Sequence, residues 1–229
     1  MNEKKKTASA ACAACDLAKN NRICYSDEGA ASKGCPTLTR KDVLAEANQE
    51  YEAEEIFEFA RQASLQEADC YANRHQRPYI MQPSKTRIVE IWEFAQKMDY
   101  NRLGLAFCIG LSNEAQVVEK LLKNQGFEVI SILCKAGRTL KEKIGIKDDE
   151  KIYQGTAESM CNPIYQAKLL NHENTDFNIL LGLCVGHDAL FLKYAQAPTT
   201  VLAVKDRVTG HNPLAAIYLS ESYYRRLST

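Results

Sequence analysis

With 229 residues and equal numbers of basic and acidic side chains, 29 of each, the chain carries no net charge. That balance leaves no footprint for nucleic acid or an anionic membrane surface, and no apolar run approaches the roughly 20 residues of a membrane span. The length suits one large domain, or a domain with an appendage, able to bury a real core.

The chain opens on a cysteine-rich segment, residues 1–39. Cys12-Ala-Ala-Cys15 is followed by Cys24 and by Cys35, itself followed at once by Pro36. A Cys-x-x-Cys pair presents two sulfurs from one turn, and two further thiolates complete a tetrahedron suited to zinc or an iron–sulfur cluster. The Cys-Pro ending favours the cluster, because that dipeptide closes the cluster-binding runs of bacterial ferredoxins. Neither ferredoxin spacing is reproduced, and the second pair is not the knuckle of a zinc ribbon. Three blander fates compete. Inert buried cysteines need apolar cover that this stretch lacks. A disulfide framework fits poorly with nine cysteines, an odd number, and no signal peptide. Lipid anchoring at Ser9-Ala10-Ala11-Cys12 lacks an apolar h-region before it. So many free thiols point to the cytoplasm of a reducing, anaerobic type of cell.

Residues 40–100 are expected to be helical. From Arg40 to about Arg74, Val43, Ala47, Tyr51, Phe57, Phe59 and Ala63 recur on one face without Gly or Pro. A break runs from Arg77-Pro78 to Pro83-Ser84, after which Thr86 to Met98 forms an amphipathic helix with Ile88, Ile91, Trp92 and Ala95 toward the core. Cys70, on the helical segment, fits no pattern.

Residues 101–229 alternate strand and helix. Leu103 to Ile109 is a continuous apolar run, as expected of a strand buried on both faces. A helix follows (Glu114 to Asn124), then a second strand (Phe127 to Cys134) and a polar stretch to about Gly155. Asn162-Pro163 opens the next helix, Phe177 to Cys184 is a third strand, His187 to Tyr194 a helix, and Thr199 to Val204 a fourth strand; a last helix follows Pro213. This alternation predicts an α/β fold, a Rossmann-like parallel sheet of about four strands preceded by the helical segment and the metal loop.

A second cysteine set belongs to that sheet. Cys108, Cys134 and Cys184 each end a predicted strand, each trailed within three residues by glycine (Gly110, Gly137, Gly186), and Cys161 precedes the Asn162-Pro163 helix start. Ligands of open α/β sheets bind beyond the carboxyl ends of the strands, where helix N-termini also lower thiol pKa. Burial as small hydrophobes is the competing fate of these four. His187, Lys205, Arg207 and His211 fall at the same edge and, with the thiols, outline a pocket for an anionic ligand. Asp188 and Asn212 there serve equally well as helix caps. No Walker loop, dinucleotide glycine fingerprint, Gly-x-Ser-x-Gly elbow or His-Glu-x-x-His is present, so no reaction is named.

These stretches, with Gly182-Leu-Cys-Val-Gly-His-Asp188 and Val204-Lys-Asp-Arg-Val-Thr-Gly-His-Asn-Pro213 the most specific of them, resemble an uncharacterised prokaryotic family, a domain of unknown function whose members are labelled metal-binding proteins. The resemblance implies metal binding through Cys12, Cys15, Cys24 and Cys35 and supplies no reaction. Two main expectations follow, beside a third in which the protein is a binding module without chemistry and both thiol sets serve folding. In one, an iron–sulfur cluster (favoured) or zinc sits on that quartet and a second cluster or soft metal on Cys108, Cys134, Cys161 and Cys184, for electron transfer with a redox partner protein or for metal handling. In the other, the N-terminal zinc is structural and a sheet-edge thiolate, Cys184 beside His187, acts on a small anionic substrate.

Overall fold

The structure is a computed structural model describing residues 9–228. Two compact units divide the chain, Met1–Ser64 and Leu65–Thr229.

The first unit opens on two single turns of 3-10 helix, Cys12–Ala14 and Lys19–Asn21, followed by the short helix α1 (Pro36–Thr39), which Cys35 precedes, and α2 (Lys41–Glu50). The helix expected without interruption from Arg40 is broken. Tyr51 to Ala53 form a turn before α3 (Glu54–Asp69), which runs on into the second unit. The helical periodicity of the apolar residues passes straight through a turn that contains neither Gly nor Pro, so composition gave no sign of it. Among the described residues up to Ser64, none is buried. The described residues of this unit therefore form no hydrophobic core to hold it together.

The second unit is built on a four-stranded, wholly parallel sheet. Its strands are β1 (Arg102–Phe107), β2 (Glu128–Leu133), β3 (Phe177–Leu183) and β4 (Thr199–Val204), in the order β2-β1-β3-β4. α4 (Arg87–Lys97) precedes β1, and α5 (Ser112–Asn124), α6 (Pro163–His172) and α7 (His187–Tyr194) lie between the strands in sequence; α8 (Leu214–Tyr218) follows β4. All seven residues of β3 are buried, which is the burial on both faces that its unbroken apolar run demands. Ala106, Ile132, Leu170, Leu180, Leu183 and Phe191 form the core between the sheet and α6 and α7.

Close packing at Gly104 fixes how α6 meets β1. A Cβ there would come within 2.2 Å of Asn178 Oδ1 and 2.7 Å of Leu170 Cδ1, and both neighbours are fully buried. Gly104→Ala should therefore cost about 1–3 kcal/mol through overpacking. A lowered urea midpoint with unchanged slope would register it; an unchanged midpoint would mean that Leu170 relaxes freely.

The strand order reverses between β1 and β3. From β1 the chain steps to β2 on one side, and then to β3 and β4 on the other. In open α/β sheets the crevice at such a reversal, outside the carboxyl ends of the strands, is where ligands bind.

Candidate functional site

Every strand of the second unit hands its carboxyl end to one of the residues singled out in the sequence. Cys108, Cys134 and Cys184 are each the first residue beyond β1, β2 and β3, and Lys205 is the first beyond β4. Cys161 reaches the same edge from the far end of the 135–160 loop, because the Asn162 N–H donates to the Cys134 carbonyl at 2.8 Å. Asn162 then caps α6, its Oδ1 accepting from the Tyr165 N–H. Three of these four thiols do converge. The sulfurs of Cys134 and Cys161 lie 3.6 Å apart, and Cys134 is also hydrogen-bonded to Cys108.

The trio divides its protons unequally. Cys134 is held between two thiol neighbours and is buried, so its pKa is pushed up and it keeps its proton. Cys108 is lowered to about 5, first by its hydrogen bond with Cys134, then by the Gly110 N–H and the Lys205 ammonium, against the cost of burial. Cys161 is lowered to about 4 by its hydrogen bonds with Cys134 and His187, with the Lys135 charge adding to them. His187 answers in kind: the Cys161 sulfur raises the imidazole pKa despite desolvation. The Cys161–His187 hydrogen bond thus favours the thiolate on one side and the imidazolium on the other, and Cys161 is partly open to solvent.

Cys184 has a different partner from the one expected. The Arg207 guanidinium donates to its sulfur at 3.3 Å, while His187 faces Cys161. The Gly186 turn, with φ at +82°, lets the His187 and Asp188 N–H groups fold back onto the Cys184 carbonyl, and this turns the imidazole away from its sequence neighbour. His211 Nδ1 accepts the Asp206 N–H at 3.1 Å, so this ring holds its own loop. The Lys205 ammonium lies across the mouth of β1 and β3, 3.6 Å from where a Cβ on Gly110 would stand and 3.7 Å from one on Gly182. Lys135 escaped the sequence reading. It bonds the Ser159 carbonyl and adds positive charge beside Cys161 and His187; its place directly after Cys134 was the signal.

The N-terminal quartet lies wholly within the first unit. Cys12, Cys15, Cys24 and Cys35 line one pocket, together with Arg22, Ile23, Ala30, Ala31 and Ser32. Reciprocal bonds close the loop: Ile23 N–H to Ala30 C=O and Ala30 N–H to Asn21 C=O. Arg22 stitches it back to the first turn through the Leu17 carbonyl at 2.8 Å. The Cys15 pKa is lowered first by the Leu17 N–H, then by the Ser32 hydroxyl and Arg22. Among the described residues, no three His, Cys, Asp or Glu side chains stand close enough together to grip a metal ion without moving. The donor set nevertheless fits a thiophilic metal. Four thiols wall one pocket, and Cys12 and Cys24 among them are exposed. At the sheet edge Cys108, Cys134 and Cys184 directly follow strands, and Cys134, Cys161 and Cys184 already have hydrogen-bond partners within the protein.

Fold and sites together define a thiol-rich α/β protein with a cysteine-walled loop unit at one end of the chain. The chain belongs to the family described as protein of unknown function (DUF1847), whose profile matches residues 35–202. It is 42% identical over 208 residues to the uncharacterized protein MJ0455 of Methanocaldococcus jannaschii, a match covering 91% of this chain and 95% of that one. The profile spans all four sheet-edge cysteines and only the last of the N-terminal quartet. Among the described residues no helix is long and apolar enough to cross a membrane.

Proposed function

We propose that this is a cytoplasmic metal-binding protein whose Cys12, Cys15, Cys24 and Cys35 hold an iron–sulfur cluster or a zinc ion. The observation that carries this reading is a pocket walled by four thiols in a unit where no described residue is buried. A unit in which no described residue is buried needs another source of stability, and its four thiols offer thiolate–metal bonds as a strong one. Once bound, the group supplies either one-electron chemistry, as a cluster, or folding energy alone, as zinc.

Metal and acid-labile sulfide, measured with a visible spectrum on anaerobically purified protein, test the proposal. Iron with sulfide and broad visible absorption would make the quartet a cluster site, and one colourless zinc per chain would make it structural. Protein free of both, after purification with iron and zinc supplied, would sink the reading.

A second reading concerns the sheet edge, and the Cys161–His187 pair favours it: thiolate chemistry on a small anionic substrate. Lys135, Lys205 and Arg207 supply the positive charge around the thiols. In this reading the nucleophile is Cys161, and Arg207 with Cys184 and Lys205 forms the anion-facing wall. Replacing Cys184 by Ser should leave metal content unchanged. A drop by one site's worth would instead make the sheet edge a second metal site.

A further inference from the structure

The second thiol at the Cys161 nucleophile is the least explained feature of the molecule. Cys134 is 3% exposed and cannot meet a substrate itself, yet its sulfur stands 3.6 Å from that of Cys161. The two residues come from separate segments, 27 positions apart, and the Asn162 N–H to Cys134 carbonyl bond pins their backbones side by side. Neighbouring backbones and sulfurs already in contact are what a disulfide requires, with little movement left to make. Simple core packing would explain a buried Cys134. It would not explain a partly open partner held as a thiolate by a histidine and flanked by lysine.

We propose that Cys161 and Cys134 form a redox-active dithiol that reduces small disulfides carrying carboxylates, with Cys161 as the attacking sulfur and Cys134 as the resolving one. The inference rests on reading the sheet edge as a thiolate site and is independent of the N-terminal metal. In the first step the Cys161 thiolate attacks one sulfur of R–S–S–R. The Cys161–S–S–R bond forms, the substrate S–S bond breaks, and the departing R–S⁻ takes the proton of the His187 imidazolium. In the second step Cys134 yields its proton to the Cys108 thiolate and attacks the Cys161 sulfur. The second R–S⁻ leaves and is protonated from Cys108. The substrate gains two electrons and two protons, the protein gains one disulfide, and His187 ends neutral. Cys108 thereby has a role, as a thiolate hydrogen-bonded to the thiol that must lose its proton. Exchange of this kind runs through a mixed disulfide, and carboxylates on the substrate find Lys135, Lys205 and Arg207 at the same edge.

The test uses the reduced full-length protein and glutathione disulfide as probe, with tryptic peptides read by mass. Cys134 and Cys161 are the sole cysteines of peptides 124–135 and 152–168, so the other seven thiols do not interfere. The expected result is a cross-link between these two peptides that dithiothreitol reverses. In Cys134→Ser the cross-link should vanish and a glutathione adduct should persist on Cys161. An adduct on Cys161 that persists equally in the unmodified chain overturns the resolving role of Cys134. The alkylation profile of Cys161 separates the two levels of failure. A profile flat down to about pH 5 without any cross-link leaves the thiolate reading standing and removes the dithiol. A profile falling tenfold per pH unit below pH 8 removes both. A metal retained on these thiols that blocks adduct and cross-link alike also overturns the proposal.

Discussion

Alkylation of Cys161 by iodoacetamide should proceed at a nearly constant rate from pH 8 down to about pH 5, then fall as the pH approaches 4. An ordinary thiol, with a pKa of 9.0, would lose about tenfold for every unit over that whole range. The sign follows from which form each neighbour prefers. Hydrogen bonds from the Cys134 thiol and then from His187, whose own pKa is raised, stabilise the Cys161 thiolate and lower its pKa to about 4. Above that pH the thiolate is already formed, and raising the pH adds no more nucleophile. Absolute rate is a poor discriminator. At pH 6 the thiolate fraction gains about 10³-fold over an unperturbed thiol, but a pKa lowered by five units weakens each thiolate by about 10²-fold. The pH profile therefore carries the information. His187→Gln should move the inflection upward by about 1–3 pH units, the shift expected on losing an adjacent positive charge and its hydrogen bond. Mass mapping of the 152–168 peptide isolates Cys161 from the other thiols. A profile in His187→Gln that coincides with the unmodified chain would falsify the ion pair.

Much of this site was legible in the sequence because strand ends are. An apolar run such as Phe177 to Leu183 fixes where a buried strand stops, and a parallel sheet brings all carboxyl ends to one edge. Three cysteines each standing one residue past a strand therefore share that edge, where Cys108 and Cys134 meet and Cys184 turns to Arg207. Their pairing could not be read in the same way. Which thiol faces which cation depends on local backbone turns. Gly186 in the left-handed region aims His187 at Cys161 instead of Cys184, and a bond from Asn162 to Cys134 draws in Cys161 from a loop with no periodicity of its own. The break at Tyr51 to Ala53 was hidden for a related reason. Helical periodicity persists on both sides of it, and a turn without Gly or Pro leaves no compositional mark.

Removal of metal should have its largest effect at the other end of the chain, on proteolysis between Cys12 and Cys35. That stretch offers trypsin Lys19, Arg22 and Lys33, and none of its residues is buried. It is held by nine backbone hydrogen bonds, mostly within single turns, and by two from the Arg22 side chain to the Leu17 and Cys15 carbonyls, each worth about 1 kcal/mol net. Thiolate coordination of a structural metal contributes on the order of 10–16 kcal/mol at neutral pH, at least as much as those bonds together, and would shift the loop strongly to its closed state. The loaded protein should therefore resist cleavage at these three sites, and Cys24→Ser, or chelated protein, should be cut there at least ~10²-fold faster, because cleavage follows the population of the open form. Cys184→Ser serves as the control and should cleave at the rate of the unmodified chain, since its sulfur belongs to the sheet. The second unit, with its own buried core, should survive the treatment as a protected fragment. Equal cleavage with and without metal would mean that the turn bonds suffice to hold the loop. The four thiols would then need a purpose other than closing it.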